Sequence, residues 1–112
     1  MDSENVRIVE AFINALKNKD LSDAPIADDL VFADPLMGEG QGADALKAFL
    51  SGFFPALDDL RIIRHVAEDE YVATHREVDG IFNTIPIFEL FRVQNGRIVE
   101  FRSFYDPRPI IG

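Results

Sequence analysis

From Glu4 to Lys19 the apolar residues Val6, Val9, Phe12, Ile13 and Leu16 recur at steps of three and four, the spacing of one helix face. Lys17 and Lys19 fall where the negative end of that helix attracts cations. Asn18-Lys19-Asp20 breaks the run, and Ser22 with Pro25 predicts a second, short helix through about Asp28. Val31 to Ala33 reads as a short strand. Ala43 to Phe54 reads as a third helix, with Leu46, Phe49, Leu50 and Phe53 on its apolar side and Pro55 at its end. Beyond Pro55 the apolar positions alternate, which predicts strands over Leu60 to Val66, Tyr71 to Val78, Ile81 to Val93 and Arg97 to Tyr105. Glu68-Asp69-Glu70, Asp79-Gly80 and Gln94-Asn95-Gly96 separate them, and Asp-Gly and Asn-Gly are strong hairpin signals. Helices followed by a long antiparallel meander make an α+β chain. A twisted sheet of that length curls, so three N-terminal helices packed on its concave side enclose a tapered, cone-shaped cavity.

At 112 residues the chain is expected to be a single domain over 1–112, large enough to bury its own core. No repeat, linker or low-complexity tract interrupts it. Twenty acids against eleven bases give a net charge of −9, which repels phosphate backbones and anionic membrane surfaces and argues against nucleic acid or membrane as a partner. The absence of cysteine excludes disulfides and thiolate chemistry. The first residues, MDSENVRIVE, carry acids instead of a basic leader, and the expected location is cytoplasmic. Ten phenylalanines with no tryptophan supply much apolar surface with no polar atom to satisfy. They fill a core, or they line a pocket for an apolar ligand.

Chemistry is best placed in Val31 to Gly42, VFADPLMGEGQG. Proline biases its predecessor away from the helical region, so Asp34 is expected extended at a strand end, near the mouth of the cavity. Gly38, Gly40 and Gly42 suit a tight irregular return into the next helix. The plainer alternative is that Asp34-Pro35 only starts a turn.

Along Ile85 to Val93 the odd positions read Ile85, Ile87, Glu89, Phe91, Val93: one carboxylate on an apolar face. If that face is inward, desolvation disfavours the charged form, and Glu89 is expected as a neutral hydrogen-bond donor of the kind a developing oxyanion needs. A bulge at Pro86 would switch the parity and put Glu89 in water. His75 and Arg76 are adjacent on one strand, so only one of them faces inward. An inward Arg76 needs a carboxylate partner, Glu89 or Asp34. His65 and His75, on different strands with no third imidazole, do not make a metal site. No phosphate loop, dinucleotide fingerprint or serine elbow occurs, so no cofactor is expected.

The order helix, short helix, ADDLVFADP, glycine-rich return, helix and meander resembles the nuclear transport factor 2-like (cystatin-like) cone fold. Within it the chain is similar to the SnoaL-like group, with its ketosteroid isomerases and limonene-epoxide hydrolases. The isomerase resemblance implies that Asp34 is the general base and that Glu89 is a protonated acid steadying an enolate. It also aligns Phe12 with a catalytic tyrosine, which removes half of that oxyanion hole. The hydrolase resemblance aligns Phe32 with a water-holding tyrosine, Asp34 with an asparagine, Ser103 with the last aspartate of an Asp-Arg-Asp relay and Arg76 with its arginine. Proton transfer on an apolar carbonyl compound is therefore ranked above epoxide opening or cyclisation, with a non-catalytic binding or dimerisation module as the alternative. The expected ligand contacts are Phe12, Leu16, Phe32, Phe49 and Phe53 on the N-terminal side. From the meander they are His75, Arg76, Phe91, Phe101 and Ser103. The resemblance also implies a homodimer joined through the exposed face of the sheet.

Overall fold

The computed structural model describes residues 2–111. Helix α1 (Asp2–Lys17) leads into strand β1 (Ile26–Asp34), a short strand β2 (Gly38–Gln41), helix α2 (Ala43–Ser51) and a 3-10 turn at Phe54–Ala56. Four long strands follow, β3 (Leu57–Glu68), β4 (Tyr71–Gly80), β5 (Asn83–Gln94) and β6 (Arg97–Phe104), and then a short helix α3 (Arg108–Ile111). They form one six-stranded sheet in the order β2-β1-β6-β5-β4-β3. No helix among the described residues is long and apolar enough to cross a membrane.

The four-strand meander is as the alternation predicts, but three expectations change. No helix forms between Ser22 and Asp28. Asp20 instead accepts hydrogen bonds from the backbone N–H and hydroxyl of Ser22, and β6 recruits the next residues as Ile98 N–H donates to the Pro25 carbonyl. Among the described residues two α-helices therefore precede the meander, and a third lies after β6. The sheet is not wholly antiparallel either, because β1 runs parallel to β6. A connection of α2 and four strands separates them, long enough for a parallel return. Finally, the β4–β5 hairpin turns at Ile81-Phe82, not at Asp79-Gly80, which stays in β4 with Gly80 opposite Asn83. Gly80 serves close packing instead of a turn: a Cβ there would lie 2.3 Å from the Ala56 carbonyl and 2.7 Å from the Phe82 ring. The Asn95-Gly96 turn forms as expected, both residues with positive φ (53° and 74°).

Register shifts interrupt the ladders between Ile62 and Arg64 in β3 and between Arg92 and Val93 in β5, the irregularities that let a sheet bend. No shift occurs at Pro86, which pairs in register with Glu77. The β5–β6 ladder begins only at Phe88, so at Pro86 the strand has a neighbour on one side and the missing N–H costs little. Parity is thus kept, and Ile85, Ile87, Glu89, Phe91 and Val93 all point into the concave side. Helix α1 packs across that side. Phe12 is fully buried and meets Phe91 and Phe101 edge-on, with centroids 5.8 Å away in each case. This aromatic cluster seals one end of the cone, and the other end stays open.

Candidate active site

The open end is a cavity of about 80 Å³, lined by Leu16 from α1, by Phe49 and Leu50 from α2, and by Phe53, Phe54, Leu57 and Leu60 beyond it. Arg76, Val78, Phe82, Ile85, Ile87 and Glu89 form the sheet wall, and Phe101, Ser103, Tyr105 and Ile110 close it from the C-terminal side. Asp34 lines it from the end of β1. The polar groups are few and most are buried, with Asp34, Arg76, Glu89 and Ser103 between 2% and 8% exposed.

Asp34 sits where Pro35 stops the strand. Its Oδ1 accepts hydrogen bonds from the backbone N–H groups of Leu36 (2.8 Å) and Met37 (3.2 Å), a local Asx turn. The hydroxyl of Tyr105, 71 positions away, donates to the same oxygen at 3.0 Å. Among the described residues nothing donates to Oδ2. Burial, followed by the adjacent Asp34 charge, pushes the Tyr105 phenol well above its ordinary value of 10.0, so it remains a neutral donor.

Glu89 does face inward, but it is not the neutral donor expected. Arg76 donates to it through Nε (2.7 Å to Oε1) and Nη2 (2.9 Å to Oε2), a fork-to-fork ion pair, and the Ser103 hydroxyl adds a long 3.4 Å contact to Oε2. Both carboxylate oxygens are engaged as acceptors by the guanidinium, so neither is turned toward a ligand oxygen as a donor. The β4–β5 register explains the pairing. Arg76 lies opposite Ile87, which makes Glu89 its diagonal neighbour on the same face. Of the adjacent pair, Arg76 therefore points in, and His75 lies on the convex face with its ring stacked on Phe88 at 4.5 Å.

Two atoms of this cluster lack a protein partner, Oδ2 of Asp34 and Nη1 of Arg76. Neither is sealed in the interior: among the described residues the only fully buried side-chain nitrogen or oxygen without a partner is Nε2 of His65. Both residues line the cavity. It thus offers a ligand one strong acceptor and one strong donor in apolar surroundings, the usual make-up of a small-molecule site.

Of the residues expected to meet a ligand, Leu16, Asp34, Phe49, Phe53, Arg76, Glu89, Phe101 and Ser103 line the cavity. Phe12, Phe32, Phe91 and His75 do not. Phe12 and Phe91 belong to the aromatic seal, Phe32 packs beneath Gly40 of β2, and His75 is on the other face. Tyr105 was not expected as a site residue. Its alternation with Phe101 and Ser103 was the available signal. Among the described residues no group of three metal-ligating side chains comes together.

Solved structures share this architecture. An LEH-like epoxide hydrolase from M. tuberculosis is 27% identical at a TM-score of 0.77, the match covering 98% of this chain and 88% of that one. An NTF2-like protein of unknown function from Cytophaga hutchinsonii is 20% identical at 0.85, covering 96% and 95%. A ketosteroid isomerase-like protein from Kribbella flavida is 14% identical at 0.82, covering 94% and 79%. Among curated proteins none matches the chain by sequence. The family model of the SnoaL-like domain matches residues 9–101, most of the chain, and the chain therefore belongs to the SnoaL-like family.

Proposed function

We propose that the cavity binds a small, largely apolar carbonyl compound and that Asp34 moves a proton on it. The observation that carries this reading is the pair of unpartnered atoms in one apolar cavity, Oδ2 of Asp34 and Nη1 of Arg76. Oδ2 accepts a proton from the carbon beside the carbonyl, the electron pair moves to the carbonyl oxygen, and Nη1 of Arg76 donates a hydrogen bond to that oxygen as charge grows there. Return of the proton to the same or a conjugated carbon gives exchange or isomerisation. Tyr105 and the Leu36 and Met37 amides hold Oδ1, which leaves Oδ2 as the reactive oxygen. The oxyanion role expected of Glu89 passes to Arg76, and Glu89 acts as the counter-ion. Epoxide opening is less well supported, because it needs an acid beside the oxygen and both oxygens of Glu89 are held by Arg76.

The test is hydrogen–deuterium exchange at the α-carbon of phenylacetone in D2O, followed by proton NMR. The native chain accelerates exchange, and Asp34→Asn lowers the rate by about 10² to 10⁴, the range for loss of a general base. Exchange undiminished in Asp34→Asn removes Asp34 from the chemistry. Absence of exchange in the native chain leaves a binding module.

We also propose a homodimer formed through the convex face of the sheet. Phe88, Phe104, Ile63 and Val66 are all about half exposed or more there (55%, 59%, 48% and 63%), an apolar patch that a second copy would cover. Sedimentation velocity distinguishes the cases: Phe88→Glu with Phe104→Glu converts a dimer to a monomer, whereas a native monomer sinks the idea.

A further inference from the structure

The cavity wall holds three ionisable side chains more than nine-tenths buried, Asp34, Arg76 and Glu89. Two are acids and one is a base, and the base is held by one acid at two points. The charge left over is that of Asp34. Among the described residues that line the cavity, nothing else balances it. Helices α1 and α2 contribute Leu16, Phe49 and Leu50, the turn after α2 contributes Phe53, and β6 with the residue after it contributes neutral Ser103 and Tyr105. On α3 only Ile110 lines the cavity, while Arg108 is 82% exposed and paired with Asp106. The Tyr105 hydroxyl registers the imbalance, since the charges of Asp34 and Glu89 each oppose its ionisation more than Arg76 favours it.

A guanidinium in an apolar cavity is well shaped to capture a carboxylate, by the same two-point geometry that Glu89 already occupies. We propose that Glu89 is a specificity residue: by neutralising Arg76 and holding its Nε/Nη2 edge it removes that group's net pull on ligand carboxylates, so the cavity accepts uncharged ligands and turns anionic ones away. The proposal rests on the cavity being the ligand site and narrows its substrate class to uncharged carbonyl compounds, excluding keto acids. An anionic ligand would meet the free oxygen of Asp34 and find Arg76 already neutralised. An uncharged carbonyl needs only a single N–H from Nη1, which Glu89 leaves free. Specificity is thus built by an internal competitor as well as by the contacts offered.

The experiment compares phenylacetone with phenylacetate, nearly equal in shape and different in charge, by ligand-observed NMR titration. The native chain is expected to bind phenylacetone at least about tenfold more tightly than phenylacetate, since like charges brought together in a desolvated site are strongly disfavoured. Glu89→Gln is expected to gain at least about tenfold for phenylacetate, because it removes one negative charge and frees the Arg76 fork. The double variant Arg76→Met/Glu89→Leu leaves no buried charge seeking a partner and keeps the cavity's net charge. It is expected to reject phenylacetate as the native chain does, and it carries the test if Glu89→Gln fails to fold. Equal binding of both probes to the native chain overturns the proposal. So does a folded Glu89→Gln that gains nothing, or a double variant that gains as much as the single one. Loss of α-proton exchange with the charge preference intact overturns the proton-transfer reading alone, and exchange without any preference overturns this one alone. Binding of neither probe to any of the three chains overturns both.

Discussion

Asp34 and Glu89 are both buried carboxylates on one cavity wall, yet they are held in opposite ways. Asp34, at the strand end, receives three neutral donors on one oxygen and keeps the other free. Glu89, mid-strand, gives both oxygens to a guanidinium. Neutral donors position a carboxylate without cancelling its charge. An Arg fork cancels the charge and occupies the lone pairs. Burial alone therefore does not mark a reactive acid; which partner satisfies it decides.

The sharpest way to break this contrast is to remove each acid and ask what is lost. Glu89→Leu strands the Arg76 charge in the interior and is expected to destabilise the fold by about 3–5 kcal/mol, most of it recovered when Arg76→Met is added. Asp34→Asn keeps an oxygen for the Leu36 and Met37 amides and is expected to cost no more than about 1 kcal/mol, its effect falling on exchange. Urea midpoints of the variants check both, and equal destabilisation by the two single substitutions breaks the distinction.

Tyr105→Phe probes the positioning side. Loss of one hydrogen bond is worth about 1 kcal/mol, so exchange is expected to slow about fivefold, well short of Asp34→Asn. An unchanged rate would show that the two amides suffice.

Two pH effects are smaller. The Tyr105 phenol is raised in the folded chain, chiefly by burial and then by Asp34. The folded state thus holds that proton more tightly than the unfolded one. The resulting stability is intact below the ordinary value of 10.0 and is lost as pH rises above it. The urea midpoint is expected to fall above that value more steeply in the native chain than in Tyr105→Phe. Asp79, outside the cavity, behaves in the opposite sense: hydrogen bonds from Arg61 and then Thr84 lower it from 3.8 to about 2. Its contribution is present above 3.8 and fades as pH falls toward 2. Asp79→Asn is expected to flatten the acid limb of the urea midpoint slightly.

Local chemistry carried most of what the chain declares in advance. The Asp34-Pro35 junction, the Asn95-Gly96 turn and the period-two faces of β4 to β6 all depend on residues within a few positions of one another, and they formed as read. With Pro86 in register, parity puts Glu89 inside. The sequence failed where partners come from afar. The stretch Ser22 to Asp28 has helical signals of its own, and β6 overrides part of it through a pairing some seventy residues distant. Gly80 resembles a turn glycine, but its position is set by the Ala56 carbonyl. The donor role expected of Glu89 gave way to the Arg76 fork for the same reason. Desolvation is visible in an apolar face, whereas the diagonal Arg76 depends on strand register. Tyr105 went unnoticed because its link to Asp34 joins opposite ends of the chain.

The central claim is the division of labour between the two acids, and a crystal structure with phenylacetone bound tests it most directly. The account predicts the carbonyl oxygen on Nη1 of Arg76, the α-carbon beside Oδ2 of Asp34, and the Arg76–Glu89 fork intact. A ligand oxygen accepting a hydrogen bond from a protonated Glu89, with the fork opened, would contradict it.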